Sequence, residues 1–82
     1  MIILSDTVYL NNLKEGQRGE ILSVPSSGSL YSRFCDLGIV SGTQIKCIRR
    51  KKGAAAYLVR QTVFALRDAD TGDIIILPAG KD

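Results

Sequence analysis

One short stretch sets the terms for the rest of the chain. Leu30, Phe34 and Leu37 recur at i, i+4 and i+7, which puts three apolar side chains on one helical face. Gly38 follows the last of them, where a left-handed C-terminal cap belongs. Ser29 stands where an N-cap belongs. The spacing predicts a helix over 30–37. A helix of about two turns is marginal alone in water, so it must dock on something.

The surrounding sequence reads as strands and turns. Val8, Leu10 and Leu13 precede a turn at Lys14-Glu15-Gly16. Residues 19–25 read as a strand that Pro25 stops. Ser41-Gly42 is a turn, and 43–50 is a β-rich run. Alternation in that run places Ile45 and Cys47 on one face and Lys46 and Ile48 on the other. Gly53 marks a hairpin loop. Residues 56–61 and 62–67 are two strands or one bent strand, with Phe64 and Leu66 sharing a face. A polar turn over 68–73 leads to a short buried strand, 74–77, ended by Pro78. This order predicts a mainly β fold. It is a small barrel, SH3-like or OB-like, with one short helix inserted after the first long strand; such closure removes sheet edges.

Size and composition narrow what the barrel can do. With 82 residues and no linker or repeat, the chain predicts one domain over 1–82, with a thin core. A pocket for a drug-sized ligand takes roughly 300–1,000 Å³, which such a core does not spare. There is no His, so the usual neutral-pH proton shuttle and the commonest metal ligand are missing. Cys35 and Cys47 form no CxxC pair and read as structural thiols, so no metal and no cofactor is expected. These features argue against an enzyme and for a module that works through its surface. The N-terminal run Met1–Asp6 lacks the basic start of a signal peptide, and the aliphatic run Ile74–Leu77 is far below the roughly 20 residues of a membrane helix. The expectation is a cytoplasmic protein that is not itself a membrane protein.

Three motifs invite a sharper reading and do not sustain it. Asp68 to Asp73 superficially suggests a calcium loop, but the last ligand position of an EF-hand falls on Ala79 and the flanks read as strands. Gly16-Gln17-Arg18-Gly19 has the spacing of a KH loop but precedes a strand. No Gly-Lys-Ser/Thr phosphate loop occurs.

The segment Ser32-Arg33-Phe34-Cys35-Asp36-Leu37-Gly38-Ile39-Val40-Ser41-Gly42-Thr43 resembles the Arg-Leu-x-Asp-Leu-Gly-Ile-x-Pro-Gly-Thr motif of the FeoA family, small accessory proteins of bacterial ferrous iron transport. Leu10, Leu13, Gly16, Gly19 and Ile21 are similar to the family's opening, and Phe64–Arg67 with Ile74–Ile76 to its closing strands. The resemblance covers about residues 8–77. Phe34 and Ser41 depart from the motif, and Lys51–Ala56 replaces the family's usual loop. The resemblance implies an SH3-like barrel, no catalytic residue, and a partner: FeoB, a membrane transporter with a cytoplasmic GTP-binding domain. The same domain occurs at the end of some iron-dependent repressors.

On that reading the partner-binding candidates are Tyr31, Arg33 and Leu37 on the helix, with the hairpin Arg49, Arg50, Lys51 and Lys52 as a second contact. Tyr and Arg are enriched at interfaces, and both residues lie off the apolar stripe. The bland alternative is that Leu30, Phe34 and Leu37 close one end of the barrel and the basic run is a solvated turn. Asp36 lies late in the helix, where the macrodipole disfavours an anion, so an ion pair with Arg33 is expected. Two other functional classes compete: a basic nucleic-acid-binding barrel and the SH3-like module of an iron-dependent regulator. Tyr57 is the only ring near the basic run, and base stacking asks for more. The net charge of +3 permits an anionic partner without requiring one. An exposed edge strand or Ile48 would support a homodimer.

Overall fold

The computed structural model describes residues 6–25 and 30–79. Strand β1 (Val8–Tyr9) leads into a 3-10 turn (Leu10–Asn12), then β2 (Arg18–Ser23) and helix α1 (Leu30–Leu37). Strands β3 (Gln44–Lys51), β4 (Ala54–Val59) and β5 (Thr62–Arg67) follow. A single-turn helix, α2 (Asp68–Thr71), precedes β6 (Ile75–Pro78). The strands form one antiparallel sheet in the order β1-β6-β2-β3-β4-β5, so β1 and β5 are its edges. Ile21 on β2, Cys47 on β3, Tyr57 on β4, Leu66 on β5 and Ile76 on β6 belong to a single buried cluster. One sheet can surround one core in this way only by curling on itself.

The helix forms where the spacing predicts, and its end is set by Gly38. The Gly38 amide donates to the Cys35 carbonyl at 3.0 Å and the Ile39 amide to the Phe34 carbonyl at 2.8 Å. With Gly38 at φ +86° this is a Schellman cap, and Phe34 and Ile39 supply its usual apolar contact inside the core. Phe34 is buried, while Leu30 and Leu37 are partly buried against the core. Burying a side chain the size of Phe34 stabilises by about 1.5–3 kcal/mol, the main term that docks a helix this short. The Ser29 cap lies outside the described residues. The Arg33–Asp36 ion pair is not formed among the described residues.

Of the two readings of residues 56–67, the structure takes two strands rather than one bent strand. β4 and β5 form a tight hairpin turning at Arg60 and Gln61, both at positive φ (52° and 71°). That conformation matches the right-handed twist of the flanking strands, but it normally carries Asn-Gly, and nothing in Arg-Gln announces it. Strand β3 differs from the sequence reading in not being a regular alternation. Its pairing with β4 shifts between Cys47 and Arg49, so Ile48 is bulged out.

Gly19 has a packing reason. It lies on β2 between β3 and β6, opposite Ile45 and Pro78. A Cβ there would meet Ile76 Cγ2 at 2.5 Å and the Leu77 carbonyl at 2.9 Å. Gly19→Ala is therefore expected to cost about 1–3 kcal/mol by overpacking. Gly38→Ala should cost only about 1 kcal/mol, from strain at positive φ. Urea unfolding of the two variants checks the ranking, and equal or reversed losses would contradict the close approach at Gly19.

Candidate functional site

The bulge at Ile48 decides where the basic residues point. Cys47 pairs with Tyr57, which faces the core, but Arg49 pairs with Ala56 and Arg50 with Ala55. The slip turns Arg50 inward and sends Arg49 and Lys51 outward. A strict alternation from Ile45 and Cys47 would have buried Arg49 instead.

Arg50 then fills a polar niche at one end of the core. Its Nε donates to the Leu13 carbonyl at 2.9 Å, and its Nη1 to Asp68 Oδ1 at 3.0 Å. Its Nη2 donates to the Tyr57 hydroxyl at 3.2 Å and to the Leu10 carbonyl at 3.3 Å. The Tyr57 hydroxyl in turn donates to the Leu10 carbonyl at 3.4 Å. The Arg50 amide donates to Glu15 Oε2 at 2.9 Å. Burial works against the guanidinium's charge, but Tyr57 and Asp68 outweigh it and hold the charge more firmly than usual. Burial raises the Tyr57 hydroxyl and the Cys47 thiol above their ordinary values, with Arg50 opposing in both cases. Cys47 is fully buried and keeps its proton, which is poor preparation for a metal ligand. Among the described residues no three of His, Cys, Asp or Glu gather to hold an ion.

The other candidate residues lie on the surface. Arg49, Lys51 and Lys52 are exposed. Arg49 and Lys51 border a shallow groove floored by Ala54, Ala56 and Ala65 on the outer face of β3–β5. A second groove lies between α1 and β5, lined by Leu30, Arg33, Phe34, Ala65, Arg67 and Asp70 among others. The two share Ala65. Arg33 and the pair Arg49 and Lys51 thus stand on either side of one edge strand, and a partner lying across β5 touches both. Arg67 closes the second groove, pairing through Nε with Asp70 Oδ2 at 3.4 Å.

Leu37 lines a third recess, with Gly38, Val59 and Arg60 at the β4–β5 turn. So α1 runs alongside β5, with Arg33 near its end and Leu37 near its start. Tyr31 is elsewhere. At about 100° per residue it is about 160° around the helix from Arg33. Exposed Ser32 and Asp36 form the ridge between them. Tyr31 stands beside Cys35, one turn on, and that thiol raises its phenol above the ordinary value. The structure therefore brings Arg33, Leu37, Arg49 and Lys51 to the two sides of β5. It sets Tyr31 on the helix's far flank and turns Arg50 into the half-buried niche beside Tyr57.

Sequence reasoning did not find the role of Arg50 or the part played by β5. The available signal was Ile48, an apolar residue out of phase beside Cys47, which is how a bulge reads in sequence.

The profile of the FeoA domain matches residues 8–78, from β1 to the end of β6. The chain belongs to the FeoA family. No curated protein sequence matches it. Among solved structures, the FeoA protein of Chlorobium tepidum is 25% identical at TM-score 0.74, over 92% of this chain and 74% of that one. A Stenotrophomonas maltophilia FeoA complexed with zinc, described as a prokaryotic SH3 domain protein, is 16% identical at TM-score 0.73. That match covers 88% of this chain and 95% of that one. A manganese-dependent transcriptional repressor is 13% identical at TM-score 0.81, over 89% of this chain and 42% of the repressor. The curled sheet with its inserted helix has the SH3-like form expected from the sequence.

The Arg50 network predicts a stability effect larger than a surface arginine can give. Arg50→Ala should cost about 2–4 kcal/mol, because charged hydrogen bonds are lost and the Tyr57 hydroxyl and two carbonyls lose a donor. Arg50→Lys should recover less than half of the loss, since an ammonium cannot span the same partners. Arg49→Ala on the outer face should stay within about 0.5 kcal/mol. Denaturant midpoints measure all three, and an Arg50→Ala loss no larger than that of Arg49→Ala would contradict the network.

Proposed function

We propose that this FeoA-family chain is a non-enzymatic regulatory module that acts in the cytoplasm. It binds the cytoplasmic part of a FeoB-type ferrous iron transporter and biases that protein's activity. The match to the FeoA domain across the whole described fold carries this reading. The surface supports it. The flank of α1 with Arg33 and the cations Arg49, Lys51 and Lys52 across β5 are exposed and open to a partner. The S. maltophilia relative, put forward as a ferrous iron transport activating factor, supports the same role.

Arg33 and Leu37 make the primary contact beside β5, and Tyr31 reaches a partner that wraps the exposed ridge of α1. Arg49, Lys51 and Lys52 form a second, electrostatic contact, while Arg50 supports them from inside. A bound module shifts its partner's equilibrium only through different affinities for the partner's states. A tenfold difference, about 1.4 kcal/mol, is typical of such coupling.

The test is a pull-down with the soluble GTP-binding domain and with full-length FeoB from the same genome, each with GTP analogue and with GDP. Binding should depend on the nucleotide. Arg33→Glu should weaken it more than tenfold while leaving the melting temperature unchanged. Wild-type binding by the variant would remove α1 from the contact, and no binding by the wild type to either form would overturn the proposed role.

A further inference from the structure

The charges of this chain are sorted in a way its modest net value hides. Between Gln44 and Arg67 the sequence holds seven of the 11 Lys and Arg residues and none of the eight Asp and Glu. That segment is β3, β4, β5 and their two turns. It carries a formal +7 against −4 for the remainder, giving the chain's +3. Only Arg50 of the seven points inward.

The outer face of these strands is built in cross-strand rows. Lys46, Leu58 and Val63 make one row. Arg49, Ala56 and Ala65 make the next, and Lys51, Ala54 and Arg67 the third. The centre is short, because alanines occupy it, and the cations stand above it at the rim. Lys52 and Arg60 extend the charge at the two hairpin turns, and both are exposed. Two aliphatic side chains are exposed among them, Ile48 at 39% and Val63 at 57%. Asp70, from α2, pairs with Arg67, and the carboxylates of Glu15 and Asp68 are taken up by Arg50.

We infer that this face docks on an anionic lipid bilayer surface. Three observations favour lipid over other polyanions. No ring faces outward from these strands, since Tyr57 is fully buried and Phe64 packs against the core, so bases have nothing to stack on. The face carries no outward aromatic ring to anchor a specific protein interface and no acid on its strands to fix a register, so charge alone sets what it binds. A shallow array of like charges with a few aliphatics among them instead suits a laterally averaged surface. Headgroups neutralise the cations, and Ile48 and Val63 enter the boundary between headgroups and acyl chains. The inference goes beyond the regulatory reading: it gives to lipid the cations Arg49, Lys51 and Lys52 that serve there as a second contact, and it leaves the primary contact through Arg33 and Leu37 as it stands. It would place a module bound through α1 at the membrane in which a transporter sits.

The test contains no transporter, so its outcome is separate from that of the pull-down. The full chain is sedimented with vesicles of phosphatidylcholine alone and of phosphatidylcholine mixed equally with phosphatidylglycerol. Binding should require the anionic lipid and vanish at about 1 M salt, where the Debye length falls to about 3 Å. Each neutralised cation should weaken partition about fivefold, so R49Q/K51Q/K52Q should lose well over tenfold. I48S/V63S should lose less, with no change in salt dependence, and Arg33→Glu should bind more strongly than the triple variant. Circular dichroism and melting temperature check that each variant is folded. Equal binding to both vesicle types, undiminished binding by the triple variant, or tighter binding to single-stranded nucleic acid than to anionic vesicles would each overturn the inference.

Discussion

The guanidinium of Arg50 ties one end of this sheet together. It joins four parts of the chain: the carbonyls of Leu10 and Leu13, the Tyr57 hydroxyl on β4, Asp68 on α2, and β3 itself. A core this small has little apolar area with which to hold a curled sheet shut. One arginine supplies the donors that buried carbonyls and a buried hydroxyl need, and a carboxylate balances its charge. No buried side-chain polar atom is left unsatisfied among the described residues. Without it, the Leu10 and Leu13 carbonyls, the Tyr57 hydroxyl and the Asp68 carboxylate would lose the donor they share.

The same bulge that brings Arg50 inside sets the character of the outside. Extruding Ile48 restores the alternation one residue late, and Arg49 and Lys51 emerge over the alanines of β4 and β5. Packing inside and charge outside are consequences of one irregularity. Helix α1 is positioned separately, by Phe34 in the core and by the Schellman cap at Gly38. It leaves Arg33 facing the groove along β5. Two unlike surfaces therefore meet at Ala65: a helix flank with mixed chemistry and a uniformly cationic sheet.

What was legible in the sequence was what local physics determines. The apolar stripe of α1 and the glycine that ends it follow from spacing and from φ, and both are where the sequence places them. The inward faces of Ile45, Cys47 and Leu66 follow from alternation. What was not legible depends on pairing between distant residues. The two-residue strand β1 exists because Val8 and Tyr9 find Ile76 and Ile75. The β4–β5 turn is fixed by the register of its strands, which holds Arg60 and Gln61 at positive φ without a glycine or asparagine. Arg50 is one of four consecutive basic residues, and only the out-of-phase Ile48 hints that it, rather than Arg49, turns inward.

The central claim is that the partner-facing surface lies along α1 and β5, supported from within by Arg50. Amide chemical-shift mapping tests it most directly. The isotope-labelled chain would be titrated with the cytoplasmic GTP-binding domain of FeoB. Shifts and broadening should concentrate at Arg33, Leu37, Ala65 and Arg67, with β1 and β6 unchanged. Perturbations centred on β1 and β6, with α1 and β5 silent, would contradict it.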